Sequence, residues 1–106
     1  MTLTEFYPTP RPLVDKMLSD IDFDTISTVL EPSAGKGDIA AIVADRFRQR
    51  RAWSDKNFKD GIDCIEIDDG LRHILTGNKY RVVHDDFLTY NSRKRYDLIV
   101  MNPPTI

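Results

Sequence analysis

Val29-Leu30-Glu31-Pro32-Ser33-Ala34-Gly35-Lys36-Gly37-Asp38-Ile39 is the stretch whose reading decides the fold. Residues 25–30 are rich in β-branched and apolar side chains (Ile26, Thr28, Val29), which suits a buried strand. Pro32 ends that strand, because proline has no N–H to give to a ladder. Gly35 and Gly37 allow positive φ and let backbone approach a ligand with no Cβ between. Asp38 then stands in the first turn of a helix running to about residue 50, with Ile39, Ile42, Val43 and Phe47 along one face. A strand, a glycine turn and a helix in this order form the unit with which α/β proteins hold nucleotide-like ligands.

Upstream, Phe6-Tyr7-Pro8-Thr9-Pro10-Arg11-Pro12 is a proline-stiffened extended entry. A helix starts near residues 10–12 and carries an apolar stripe of Leu13, Val14, Met17, Leu18 and Ile21, with Thr9 placed to cap it. Downstream, the arginines among residues 46–51 complement the dipole at a helix C-terminus, with a phosphate-binding patch as the other reading. A polar loop over 53–60 leads to a second buried strand at 61–67. A short helix over 70–76 follows, closed by the turn pair Gly77-Asn78. Strand three covers 80–84. After a polar connector, strand four covers 97–101 and runs into Asn102-Pro103-Pro104. Strands alternating with helices imply right-handed crossovers and a parallel sheet, so the expected fold is α/β and Rossmann-like, with four strands in the order 3-2-1-4.

The bulk numbers set limits on this reading. A chain of 106 residues with 41% hydrophobic residues allows one domain, 1–106, with a modest core. A net charge of −2 is not the basic footprint of an autonomous nucleic-acid binder. Cys64 is the single cysteine and lies in an apolar run, which excludes an intramolecular disulfide and points to a packed core residue. No apolar run reaches the span of about 20 residues that crosses a bilayer. The first residues lack the basic start and apolar centre of a signal peptide. The expectation is a cytoplasmic protein without membrane partners.

Gly35-x-Gly37-x-x-Ala40 also fits a dinucleotide pattern, so two ligand classes compete. A pyrophosphate needs the positive end of the helix to itself. Glu31 and Asp38 place two carboxylates around that point, which favours a cationic ligand over a phosphorylated one. S-adenosyl-L-methionine carries an ammonium and a sulfonium and no phosphate. The other strand ends add to this. Glu66 closes strand two, where a carboxylate accepts ribose hydroxyls, with Asp68 as a nearby competitor. Asp86 closes strand three as an acceptor for an exocyclic amine, and Phe87 offers a ring face to a purine. His73 and His84 have no partners at metal spacing and are read as structural, so no metal is expected.

Asn102-Pro103-Pro104 is the sharpest signal. The prolines hold the Asn102 amide oxygen and the Pro103 carbonyl as a fixed pair of acceptors. Two acceptors on the N–H bonds of a conjugated amino group favour a pyramidal nitrogen whose lone pair faces a methyl donor. Proximity of donor and acceptor supplies the rest, with no general base required.

Five ordered stretches now resemble the N-terminal half of an S-adenosylmethionine-dependent amino-methyltransferase, of the kind that methylates adenine N6 in DNA. They are residues 6–10, residues 31–37, Ile65-Glu66-Ile67-Asp68, Asp85-Asp86-Phe87 and Asn102-Pro103-Pro104. The resemblance implies a class I methyltransferase fold, here truncated. Thr9 would hold the methionine carboxylate, while Glu31, Ser33, Ala34, Gly35 and Gly37 would face the methionine part. Glu66 would hold the ribose, Ile67 and Phe87 would sandwich the adenine, and Asp86 would accept its amino group. Asn102, Pro103 and Pro104 would position the target nitrogen. Thr105 stands where that family usually has an aromatic that stacks on the flipped base. DNA would be engaged through regions absent here. Similar motifs occur in enzymes acting on rRNA guanine or protein glutamine, and a truncated, non-catalytic, cofactor-binding relative is the alternative. The apolar edge of strand four leads to a further expectation, self-association of the chain.

Overall fold

A computed structural model describes residues 10–49 and 59–100 of the chain. Helices and strands alternate through them: α1 (Arg11–Leu18), β1 (Val29–Glu31), α2 (Asp38–Arg48), β2 (Ile62–Ile65), α3 (Asp69–Gly77), β3 (Arg81–His84) and β4 (Leu98–Ile99), with a 3-10 turn at Phe87–Thr89. The four strands form one parallel sheet in the order β3-β2-β1-β4. This is the expected α/β, Rossmann-like arrangement. Because all strands run the same way, their carboxyl ends share one edge, where open α/β sheets bind ligands.

Side chains alternate across the strands. Val29, Ile62 and Cys64 belong to the main core, with Val14 and Leu18 of α1, Ile39, Ala40, Val43 and Phe47 of α2, and Leu75 of α3. Phe23 meets Phe47 edge-on at 5.2 Å and 88°, closing the segment between α1 and β1 over that core. Intervening positions such as Leu30, Asp63 and Ile65 fall on the other face of the sheet.

The observed strands are shorter than the sequence suggests. β1 begins at Val29 rather than residue 25, because β2 and β4 start opposite Val29, at Ile62 and Leu98. The N–H groups of Ser27 and Thr28 donate instead to Asp97 Oδ2, at 2.8 and 3.2 Å. β2 stops at Ile65, so Glu66 and Ile67 lie beyond the ladder. In α1, Val14 and Leu18 turn inward while Leu13 and Met17 remain exposed, leaving a narrower apolar stripe than expected.

The arginines of α2 are engaged with acids. Arg46 pairs with Asp15 at 3.1 Å and Arg48 with Asp45, while Arg11 reaches Asp15 at 3.5 Å and Asp45 at 3.8 Å. This pins α1 to α2 and favours the structural reading over a phosphate patch; Arg50 and Arg51 lie outside the described residues. Among the described residues, no helix is long and apolar enough to cross a membrane.

Candidate functional site

The glycine turn after β1 has the backbone its sequence requires. Gly35 has φ 58° and Gly37 φ 100°, a region that side chains with a Cβ rarely adopt. Gly37 caps α2, and a Cβ there would lie 3.1 Å from Leu75 and 3.4 Å from the Tyr80 ring, so glycine is demanded by space as well as by φ. The Ala34 N–H donates to the Ile65 carbonyl at 2.9 Å, and the Gly37 N–H to the Ala34 carbonyl at 3.0 Å. These bonds fold the turn back against the end of β2.

Two carboxylates support it from beneath. Glu66 is 8% exposed; its Oε1 accepts the Gly35 N–H at 2.7 Å and its Oε2 the Asp68 N–H at 2.8 Å. Glu31 is 1% exposed; its Oε1 accepts the Ser33 N–H at 2.9 Å, and its Oε2 has no hydrogen-bond partner among the described residues. Burial, reinforced by repulsion from Glu66 and opposed by the Ser33 N–H, pushes the Glu31 carboxyl up to about 7.

Along the same edge, Asp68 serves the next helix rather than the glycine turn. It caps α3 by accepting the Leu71 N–H at 2.9 Å. Asp86 Oδ1 accepts the Leu88 N–H at 3.0 Å and opens the 3-10 turn, which displays Phe87. Ile67 is 73% exposed and Phe87 41%. Exposed apolar side chains beyond the ends of adjacent strands offer two surfaces for a flat ring. His84 sits apart, 2.8 Å from Thr89 Oγ1 and tilted against Tyr90. Among the described residues no group of three or more His, Cys, Asp or Glu could hold a metal ion.

The structure therefore brings Glu31, Ser33, Ala34, Gly35, Gly37 and Glu66 together around one turn, with Ile67, Asp86 and Phe87 on the same sheet edge. Thr9, Asn102, Pro103 and Pro104 lie outside the described residues. β4 runs parallel to β1, and the Val100 N–H donates to the Leu30 carbonyl at 3.0 Å, so β4 heads for this edge.

The sequence reading overlooks Asp63, 1% exposed on the opposite face of the sheet. It accepts from Arg81 at 3.3 Å, from Lys94 at 2.8 Å and from the Tyr96 hydroxyl at 2.8 Å. Tyr96 in turn contacts the Tyr90 hydroxyl at 2.9 Å. An acid between Ile62 and Cys64 is the signal that marks it. Its partners tie the β3–β4 connector to β2, a structural role away from the glycine turn.

No protein-family model matches the chain. It is similar to the type II methyltransferase M.CvrRI of Paramecium bursaria Chlorella virus XZ-6E, with 26% identity over 98 residues, 91% of this chain and 23% of the viral protein. The chain thus spans about a quarter of the length of that curated relative. Taken with the parallel sheet and its glycine turn, this similarity supports a relationship to methyltransferases.

Proposed function

We infer that the chain is the cofactor-binding part of an S-adenosylmethionine-dependent methyltransferase that acts on an exocyclic amino group, adenine in DNA being the favoured target. The observation that carries this reading is the pair of buried carboxylates under the glycine turn, one of them with an oxygen that has no partner among the described residues. Carboxylates at the start of α2 disfavour a pyrophosphate and suit the ammonium of a methionine moiety.

The residues fit that ligand. Glu31 Oε2 would accept from the ammonium. Glu66 uses one site on each oxygen for Gly35 and Asp68. A carboxylate has about four acceptor sites, so two remain for ribose hydroxyls. Ile67 and Phe87 would cover the two faces of the adenine, Asp86 would take its amino group, and Thr9 the methionine carboxylate. When bound, S-adenosylmethionine supplies the electrophilic methyl group. Asn102 and Pro103 would hold the target amine as paired acceptors, Pro104 stiffening the segment, and would orient the nitrogen lone pair without a protein base. The amino-methylating class and the DNA target rest on the sequence resemblance, and a cytoplasmic setting on the lone Cys64 and the composition of the sequence.

Calorimetry with S-adenosylhomocysteine and with NAD tests the assignment. We expect S-adenosylhomocysteine to bind and NAD to bind far more weakly or not at all. Hydrogen bonds to charged groups contribute about 1.5–3 kcal/mol each, so Glu66→Ala is expected to weaken binding at least tenfold. Tighter binding of NAD than of S-adenosylhomocysteine would refute the reading.

A further inference from the structure

We propose that Glu31 makes ligand choice at this site proton-linked: capture of the amino-acid end of the ligand expels a proton from Glu31, so preference for amino-bearing nucleosides over the bare nucleoside thioether rises with pH. The proposal rests on the cofactor reading above, and the geometry behind it is local.

The Glu31 side chain is buried in the sheet, opposite Cys64 in the β1–β2 register. One oxygen accepts a single backbone N–H and the other accepts none among the described residues. The titratable groups that face it from β2 and its end are Cys64 and Glu66, and neither supplies a positive charge. Glu66 opposes ionisation of Glu31, and Glu31 likewise opposes ionisation of the Cys64 thiol. In the turn and at the start of α2, Lys36 and Asp38 are exposed, while Ile39 and Ala40 are apolar. From α1 the inward side chains are Val14 and Leu18, and from β4 and its end Leu98 and Val100, all apolar. Among the described residues no cation compensates Glu31, so in the empty site it holds its proton up to about 7.

An ammonium brought to Oε2 changes that balance. Opposite charge and a charge-assisted hydrogen bond both favour the carboxylate, so the proton leaves for solvent and an ion pair remains. A ligand without the amine provides no such compensation and leaves Glu31 protonated. The cost of ionising Glu31 therefore falls on the amino-bearing ligand alone, and it shrinks as the pH approaches and passes the point where Glu31 ionises in the empty site.

The test uses the 106-residue chain with S-adenosylhomocysteine and with 5′-methylthioadenosine, the same nucleoside without the amino-acid end. Affinities are measured by calorimetry at about pH 6 and about pH 7 in buffers of different ionisation enthalpy. The ionised fraction of Glu31 rises from about one-tenth to about one-half over that range, so S-adenosylhomocysteine should bind roughly fivefold more tightly at the higher pH. It should release close to one proton at the lower pH and about half a proton at the higher. Methylthioadenosine should show neither effect, and Glu31→Gln should abolish both for S-adenosylhomocysteine. Binding of S-adenosylhomocysteine with no proton release, or with the linkage intact in Glu31→Gln, would overturn the proposal and leave the cofactor reading standing. Failure of both nucleosides to bind at either pH would overturn the cofactor reading itself. An NMR titration of the Glu31 carboxyl in the free chain gives a ligand-independent check: a midpoint near the ordinary 4.5 would likewise sink the proposal.

Discussion

Glu31 illustrates how one side chain can serve a site and weaken the fold that carries it. Its carboxyl ionises near 4.5 in an unfolded chain and near 7 in the folded one, because burial disfavours the charge and Glu66 adds repulsion. The folded state therefore binds the proton more tightly, and stability falls as pH rises between those values. Below about 4.5 the contribution is fully present; above about 7 it is gone. The full shift corresponds to about 3 kcal/mol. We expect urea midpoints of the wild-type chain to fall across this window relative to those of Glu31→Gln, and the difference to level off above it. Comparing the two chains cancels groups that titrate the other way, such as Asp97, whose carboxyl is held low chiefly by the Ser27 and Thr28 N–H groups. A constant difference at every pH would show that folding leaves the proton affinity of Glu31 unchanged. Cys64, read from its apolar surroundings as a core residue, is fully buried, and burial pushes its thiol up to about 12.

Glycines separate the elements whose logic is local from those whose logic is not. Gly35 and Gly37 are legible from their pattern, since a strand turning at once into a helix needs positive φ, and both have it. Gly61 carries no such pattern. A Cβ there would sit 2.5 Å from the Ser27 carbonyl oxygen, while the Gly61 carbonyl accepts the Val29 N–H at 2.7 Å. The backbone cannot withdraw without loosening the pairing of β1 with β2. Gly61→Ala is expected to cost about 1–3 kcal/mol in urea denaturation, the usual penalty for overpacking. Gly77 ends α3 with nothing within 4 Å of an added Cβ. Gly77→Ala should be neutral or stabilising by up to about 1 kcal/mol. Equal effects at the two glycines would contradict the clash at Gly61.

Across the sheet, Asp63 and Asp97 do the long-range work. Asp63 joins β2, β3 and the connector, and Asp97 clasps the start of β1 to that of β4. Both hold the outer strands against the central pair. β4 pairs with β1 on one side and with no strand on its other side among the described residues. Ile99 on this strand is 50% exposed. An unpaired strand edge with an exposed apolar side chain favours pairing with a copy of itself, since a two-fold axis lets the same residues serve both partners. We expect sedimentation analysis to show a weak, concentration-dependent dimer at high micromolar chain, abolished by Ile99→Lys. A strict monomer in that range would exclude pairing through β4.

The glycine turn and the helix and strand types follow from local rules, and the parallel order β3-β2-β1-β4, with Glu31, Glu66, Asp86 and Phe87 on one edge, from the general wiring of open α/β sheets. Strand and helix periods, turn glycines and right-handed crossovers act over short stretches of chain, and each leaves a mark in the residues. Where the strands stop does not follow from such rules. Residues 25–28 have strand-like side chains, yet the N–H groups of Ser27 and Thr28 find Asp97 and that of Thr25 the Asp22 carbonyl, rather than a neighbouring ladder. Nor could periodicity separate Glu66 from Asp68. Both are acids at the end of β2, and only the folded chain turns one beneath Gly35 and commits the other to capping α3. The burial of the Glu31 carboxyl and the demand for glycine at 61 arise in the same way, from the exclusion of water and the approach of segments distant in sequence. Those are properties of packing, and no single stretch of the chain carries them.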